Sequence, residues 1–563
     1  MLNSITFSLN ESLEAAVREA ADKWQKDSMV SRIWAKDATV WTNADEAKWL
    51  GWLDVVDEEL DDLQKYRDLQ TDIEVGGFKD VLLMGMGGSS LCPEVLFVTF
   101  DKQQFRILDS TDPAQVKAVE ESIELENTLF IVASKSGSTL EPNCFKQYFF
   151  EKVAERVGRD NAGKQFIAIT DPGSKMERVA RDAGFRHIFR GQPSIGGRFS
   201  ALSVFGMVAA AAMGLDVEDF LTRTRGMVAA CKNEDPQGNP GAMLGVILGI
   251  CQSQGRDKLT IFASPEIHDL GAWLEQLIAE STGKNGVAVI PVDREPVQPV
   301  DVYGDDRVFV HLKVKGSNDL DPEMHEIEIA GHPVVRVELD SIENLGQEFF
   351  RWEFATAVAG SVMGINPFDQ PDVEAAKIEA RKLTDEYEKT GSLPSEEPFF
   401  EADGISMFTG DDYASELMEA AEEKSLASLL DAHLLNIHDN DYFAVLAYIQ
   451  MNHQNQELVQ SIRDQVLESH AVATCLGFGP RFLHSTGQAY KGGPNTGVFL
   501  QITAEDPIDL PVPEQKFTFG IVKAAQARGD FQVLLDRGRR ALRVHLAGGV
   551  PDGLRQIHKA LNG

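Results

Sequence analysis

Cysteine is scarce in this chain: five residues, Cys92, Cys144, Cys231, Cys251 and Cys475, widely spaced and with no CxxC pair. An odd, scattered set excludes a disulfide scaffold or a zinc ribbon and predicts reduced thiols in a cytoplasmic compartment. Positive charge is also short. Lys and Arg number 53 against 88 Asp and Glu, a net charge of −35. Such a surface repels nucleic acid and anionic lipid, so neither is expected as a partner. An anionic substrate must then be held by local donors. Long apolar runs are missing. The most apolar stretch, residues 201–215, is too short to span a bilayer and contains Ser203 and Gly206, so it reads as a buried helix. The start, MLNSITFSLNESLEAAVREA, lacks a basic region followed by an apolar core and is not read as a signal peptide. Metal-ligand spacing is lacking too. His433 and His438 do not have the i, i+4 spacing of HExxH, and His325 and His332 have no further ligands in pattern, so no metal is expected. No short-period repeat occurs.

What is present is ordinary globular material: 43% apolar and 25% charged residues in 563. That length suggests three or four units at roughly 100–200 residues each. Residues 1–75 read as a helical segment with Asn10 or Ser12 as first cap and a tryptophan cluster (Trp24, Trp34, Trp41, Trp49, Trp52) assigned to packing. After Gly76-Gly77 short apolar runs at 80–84, 105–109, 128–133 and 166–170 alternate with helical patterns, which makes a parallel sheet with helices on both faces. A second set follows at 258–263, 287–290, 308–312 and 334–337, with a helix near 268–281 and a longer one near 345–363. Residues 384–412 are acidic and rich in Gly and Pro, and read as a linker. A third α/β region, 413–563, has strands expected near 443–449, 472–476, 498–502 and 532–535. The fold class is therefore α/β: doubly wound parallel-sheet domains over 76–225 and 226–383, plus the C-terminal region.

Several loops carry chemistry. Gly85-Met86-Gly87-Gly88-Ser89-Ser90 follows the first strand, where glycines permit a close backbone approach and the next helix N-terminus favours an anion. A dinucleotide site is the rival reading: the third Gly of GxGxxG is replaced by Ser90, yet Asp109 ends the next strand where a ribose-binding acid would lie. Ser134-Lys135-Ser136-Gly137-Ser138-Thr139 follows the third strand and suits a phosphate cradle of hydroxyls and backbone N–H groups. Two such loops favour a phosphomonoester over a dinucleotide. Arg198, in Gly196-Gly197-Arg198-Phe199-Ser200, is placed to stabilise a developing anion, or else to form a plain salt bridge. Glu280, in Glu280-Ser281-Thr282-Gly283-Lys284, is either a general base at a cleft or a solvated helix-end carboxylate. His484, in Leu483-His484-Ser485-Thr486-Gly487-Gln488, titrates near neutrality if it is free to do so, and a structural histidine is an equal reading. Arg537, Arg539, Arg540 and Arg543 read as a solvated helix face or an interface patch.

Taken together these segments resemble the phosphoglucose isomerase family, which is built on paired sugar-isomerase (SIS) domains. GMGGSSLCP at 85–93 looks like its first Gly-Ser loop, SKSGSTLEP at 134–142 like its phosphate loop and following Glu, and GGRFS at 196–200 like its Arg-bearing turn. ESTGK at 280–284 resembles the catalytic Glu segment, and NPFDQPDVEAAK at 366–377 the FDQ signature with its terminal Lys. The resemblance covers about residues 75–380. One departure stands out. The family's ring-opening histidine lies between the Glu and the FDQ segment, whereas His311, His325 and His332 there lack its motif and the motif-like LHSTGQ at 483–488 comes after it. The order is permuted, or the third region supplies the group. This arrangement resembles the isomerase half of bifunctional transaldolase/phosphoglucose isomerases, although no transaldolase barrel is evident.

The resemblance implies aldose–ketose isomerisation between glucose 6-phosphate and fructose 6-phosphate without a cofactor. It implies that Gly88, Ser89, Ser134, Lys135, Ser136, Ser138 and Thr139 hold the phosphate, and that His484 and Lys377 open the ring. Glu280 would shuttle a proton between C2 and C1, with Arg198 stabilising the enediolate and Glu141 and Gln488 contributing to substrate binding. The family commonly forms homodimers, which leaves a homodimer open, and phosphomannose activity is compatible with the same scaffold. Two other classes stay in view. A SIS-type sugar-phosphate sensor needs the serine loops but not Glu280, Lys377 and His484 together. A nicotinamide-dependent oxidoreductase would use residues 85–90 and Asp109.

Overall fold

The computed structural model describes residues 1–562. The chain opens with a strand, β1 (Ser4–Ser8), before a helix over Glu11–Lys26 whose N-terminus is capped by the Asn10 side chain accepting from the Leu13 N–H. A helical reading of all of residues 1–75 therefore needs correcting. β1 adds antiparallel to the edge of a distant sheet, and it is held there because the Asn3 amide N–H donates to Gln347 (2.8 Å) and the Arg351 guanidinium donates to the Asn3 carbonyl (2.6 Å). Nothing local in a five-residue polar strand records that pairing.

The first sheet contains β2 (Asp80–Met84), β3 (Phe105–Leu108), β4 (Thr128–Ala133), β5 (Phe166–Thr170) and β6 (His187–Arg190), all parallel in the order β3-β2-β4-β5-β6. Its central strands are apolar on both faces because both faces are covered. Val81 and Leu83 of β2, with Leu129 and Ile131 of β4, face one core, while Leu82, Met84, Phe130 and Val132 face another. β6 escaped the sequence reading because its His and Arg mask the apolar pattern at a sheet edge.

The second sheet holds β7 (Lys258–Ala263), β8 (Ile290–Asp293), β9 (Arg307–Val314) and β10 (Val334–Leu339), in the order β1-β10-β9-β7-β8. One core joins it to the first sheet and to the N-terminal segment. Buried Trp52 packs against Phe199, Phe350 and Phe354 within it, and the buried helix Val204–Ala212 lies in the same core. No helix among the described residues is long and apolar enough to cross a membrane.

The third sheet contains β11 (Phe400–Ala402), β12 (Ile405–Phe408), β13 (Tyr442–Tyr448), β14 (Ala473–Phe478), β15 (Gly497–Ala504) and β16 (Arg540–Leu546), ordered β11-β12-β16-β15-β13-β14. Two expectations fail here. Residues 384–412 are not one linker. The helix Pro371–Thr390 runs through their start and stops at Gly391, which takes the left-handed conformation (φ 79°). A β-hairpin follows, turned by Asp403 and Gly404, both at positive φ, and paired to β16. Residues 532–535 are not a strand. They end the helix Phe519–Asp536, which the Thr518 hydroxyl caps by accepting from the Ile521 N–H. The strand is β16, and it carries Arg540 and Arg543; Arg543 is buried rather than on a solvated helix face. A short apolar run is ambiguous between strand and buried helix, and here the cap and the length decide.

The third unit docks on both others. Ile290 and Val292 of β8 share a core with Tyr442, Phe499 and Leu534, and Phe517, Phe519 and Val522 complete a core of the first unit.

Candidate active site

In an open parallel sheet, loops at the carboxyl ends of strands flanking the point where connections change direction form the binding crevice. In the first sheet β2 and β4 flank that point. Their loops, residues 85–90 and 134–139, line one cavity of about 400 Å³. Arg198, Glu280, Lys377 and His484 line it too, so the cavity gathers side chains from all three units.

The first loop is the point of convergence. Gly87 has φ 55°, and a Cβ there would lie 2.8 Å from both the Gln276 amide and the His484 carbonyl oxygen. A Cβ on Gly88 would lie 2.0 Å from the Gly197 carbonyl oxygen. Glycine is needed because the Arg198 turn, the Glu280 helix and the His484 turn all press on this backbone.

In the second loop Ser136 and Ser138 share a hydrogen bond (2.8 Å), and the buried Ser134 hydroxyl faces the cavity wall with no protein partner. Lys135 is engaged, donating to Asp171 (2.6 Å) and to the Gln192 carbonyl (2.9 Å). Ser138 and Glu141 open instead onto a neighbouring cavity of about 790 Å³, which shares Ser136, Thr139 and Lys377 with the first.

Arg198 is buried. Its guanidinium donates to Ser281 (2.7 Å), Gln370 (3.0 Å) and the Pro367 carbonyl (2.7 Å), and lies 3.4 Å from the Glu280 carboxylate. Burial pulls its pKa down while Glu280 and Asp369 push it up, and burial prevails. Phe199, between Trp52 and Phe368, fixes the turn. Glu280 sits in the last turns of the helix Leu270–Thr282, where Gln276, one turn earlier, donates to it (3.0 Å). Lys284 does not line the cavity. It ties this segment to the FDQ segment by donating to the Asn366 carbonyl and the Asp369 carboxylate, 2.8 Å each, and burial brings its pKa down to about 8.

His484 ends a turn (Arg481–His484) after β14, and its Nε2 lies 2.8 Å from Glu141 Oε1. Burial works to raise the Glu141 pKa, but the charge and hydrogen bond of His484 outweigh it and hold the carboxyl below its ordinary value. Gln526 of the third unit donates to the same oxygen (2.6 Å). Arg481 pairs with Glu94 and lies 3.6 Å from Asp109, so the acid a dinucleotide site would use is engaged in holding this turn. His311 lies elsewhere, in β9, where burial lowers its pKa to about 4, and His332 packs on Tyr303 and Phe309.

Lys377 projects from the helix Pro371–Thr390 and pairs with Glu374 (2.8 Å), which also lines the cavity. Gln488 is not at the cavity, contrary to the sequence reading. It is fully buried behind it, accepting from the Asp372 and Val373 N–H groups and donating to the Gly283 carbonyl. Its position next to a motif histidine gave no sign that its amide would serve as a fastener. Trp49, Gln276, Gln370 and Glu374 were missed as lining residues. The i, i+4 relation of Gln276 to Glu280 was the available signal. For Trp49, assigned to packing with the rest of its cluster, there was none.

The fold and this cavity define an α/β protein that brings a hydroxyl-rich anion cradle beside a carboxylate–guanidinium pair. The phosphoglucose isomerase family model matches residues 45–294. A glucose-6-phosphate isomerase of Rubrobacter xylanophilus is 30% identical over 355 residues, 54% of this chain and 81% of that protein. A probable glucose-6-phosphate isomerase of Methanococcus maripaludis is 29% identical over 369 residues, 58% of this chain and 82% of that one. Among solved structures, a glucose-6-phosphate isomerase from Chlamydia trachomatis superposes with a TM-score of 0.53 at 20% identity, covering 67% of this chain and 88% of that one. The chain belongs to the phosphoglucose isomerase family.

Proposed function

We propose that this chain interconverts glucose 6-phosphate and fructose 6-phosphate through a cis-enediol. The observation that carries the reading is the Glu280–Arg198 pair, 3.4 Å apart, in the same cavity as the serine loop and His484. Ser89, Ser134, Ser136, Ser138 and Thr139, with the backbone at Gly88, hold the phosphate, and Lys135 fixes the loop through Asp171. His484, oriented by Glu141, and Lys377 move a proton to and from the ring oxygen to open the sugar. Glu280 then takes the C2 proton of the open-chain aldose, the electron pair moves onto the carbonyl oxygen, and Arg198 faces the enediolate charge. A proton exchanges between O1 and O2, and Glu280 returns its proton to C1. Proton abstraction beside a carbonyl needs both a positioned base and a fixed cation at the developing charge. A binding module would need the serine loops alone, and here the acid–base groups line the same space. A reducing, cytoplasmic setting suits five free, buried cysteines.

The test is turnover of fructose 6-phosphate, read as glucose 6-phosphate through a coupled dehydrogenase. Glu280→Gln should cost about 10²–10⁴-fold in kcat while leaving sugar-phosphate binding in place. Full activity in that variant would remove Glu280 from the role, and no turnover by the unaltered protein would overturn the reading.

A further inference from the structure

The rule that places the catalytic cavity in the first sheet applies again in the third. The connection from β13 leads to β14 on one side, and the chain then returns to β15 and β16 on the other, so the change of direction falls between β13 and β15. Tyr448 ends β13 and Thr503-Ala504 end β15. A cavity of about 270 Å³ opens there, lined by these residues, by the helix Phe519–Asp536 and by Arg543 and His545 of β16.

Its chemistry is that of an anion site. The Arg528 Nε and the Arg543 guanidinium both form ion pairs with one carboxylate oxygen, Oε2 of Glu396, at 2.8 Å each. Arg543 is held in place by stacking, its guanidinium carbon 4.3 Å from the Phe408 ring centre and 5.3 Å from that of Phe531, and its buried Nε has no partner. Two guanidinium groups thus converge on a single carboxylate oxygen, while the Arg543 Nε is left without an acceptor. Lys523, also in the wall, is paired with two carboxylates, Asp112 and Asp506, so the group as a whole is balanced and the crevice gains positive charge only when Glu396 leaves it. Glu396 belongs to neither sheet. It lies in the irregular stretch between the helix ending at Thr390 and β11, and its side chain is one-third exposed. Planar guanidinium forks bind a phosphate dianion more completely than one carboxylate, because the dianion presents three oxygens and twice the charge.

We propose that this crevice is a second small-molecule site, taking a phosphomonoester or inorganic phosphate on Arg528 and Arg543 in place of the Glu396 carboxylate. The chain carries its own weak occupant, and displacement of Glu396 opens the site. The helix bearing Arg528 also bears Gln526, which lines the cavity next to the catalytic one and donates to Glu141 beside His484, so one helix reaches both regions.

The experiment is equilibrium dialysis of the full chain against labelled inorganic phosphate, with E396Q and R528Q in parallel. Isomerase turnover near the unaltered level in each variant shows that it folds. The catalytic cradle supplies one class of site in all three proteins. The expected result is a second class that E396Q tightens by about tenfold and R528Q removes. Glycerol 3-phosphate, used as competitor, should displace that second phosphate at lower concentration than unlabelled phosphate if the natural occupant is a phosphomonoester, and no better if it is inorganic phosphate. A single class in all three proteins, or a second class unmoved by E396Q, would overturn the proposal. If R528Q does not fold, the E396Q shift alone decides.

Discussion

Glu141 shows how one residue can matter without facing the reacting carbons. It is buried at the start of the helix Leu140–Val157, and its Oε1 receives both His484 and Gln526. A neutral amide there would keep the shape and lose the charge that orients the imidazole. Glu141→Gln should lower kcat about 10–100-fold, the worth of one charge-assisted hydrogen bond, with little change in KM. The same residue has a stability signature. Its pKa is lowered from 4.5 in the fold, so the fold favours the charged form. The stabilising contribution is complete above 4.5 and is lost as pH falls through the lowered value. The melting-temperature difference between the unaltered protein and Glu141→Gln should therefore be largest near neutrality and shrink below pH 4.5. A difference that widens on acidification would show that Glu141 is not held charged.

At the level of elements, the site depends on loops packed against each other rather than on any one motif. Gly88 and Gly197 touch through their backbones, and a methyl at Gly88 has no side chain to push aside, only a carbonyl at 2.0 Å. Gly88→Ala should separate the first loop from the Arg198 turn, costing about 1–3 kcal/mol of stability and a larger share of turnover. Denaturant melts with a kcat measurement check this, and wild-type values for both would show that the loops yield. Most elements were readable from local pattern: β2, β4, β5 and β7 fall where the apolar runs end in Gly, Ser or Asp. Several were missed, among them the hairpin β11–β12 inside the stretch that reads as a linker. β1 and β6 are edge strands with polar side chains, and residues 532–535 are the apolar end of a long buried helix. β1 is fixed by a partner distant in sequence, whereas β6 pairs with nearby β5 and owes its polar pattern to its place at the sheet edge.

Over the whole molecule, the third unit contributes to the candidate site. It brings His484 to Glu141 across 343 residues, and Arg481 pins the turn by pairing with Glu94. Glu280 and His484 line one cavity of one chain. Mixing Glu280→Gln with His484→Ala should therefore restore no activity, whatever the oligomeric state. Recovery well above the sum of the separate variants would show that the histidine is shared between copies.

Resemblance to the family points to the carboxylate, guanidinium and lysine of the proposed reaction, and sequence alone determined the local pattern: which loops carry glycine and hydroxyls, and where most parallel strands begin and end. These features depend on neighbours within a few positions, through turn geometry and the two-residue period of a strand. Tertiary structure decided the rest. It drew β1 onto the second sheet, moved Gln488 from the cavity into the scaffold, and seated Glu396 between two arginines. It also turned a histidine out of family order into a wall of the cavity, because apolar faces of remote elements had to be buried together and polar groups were carried into contact with them.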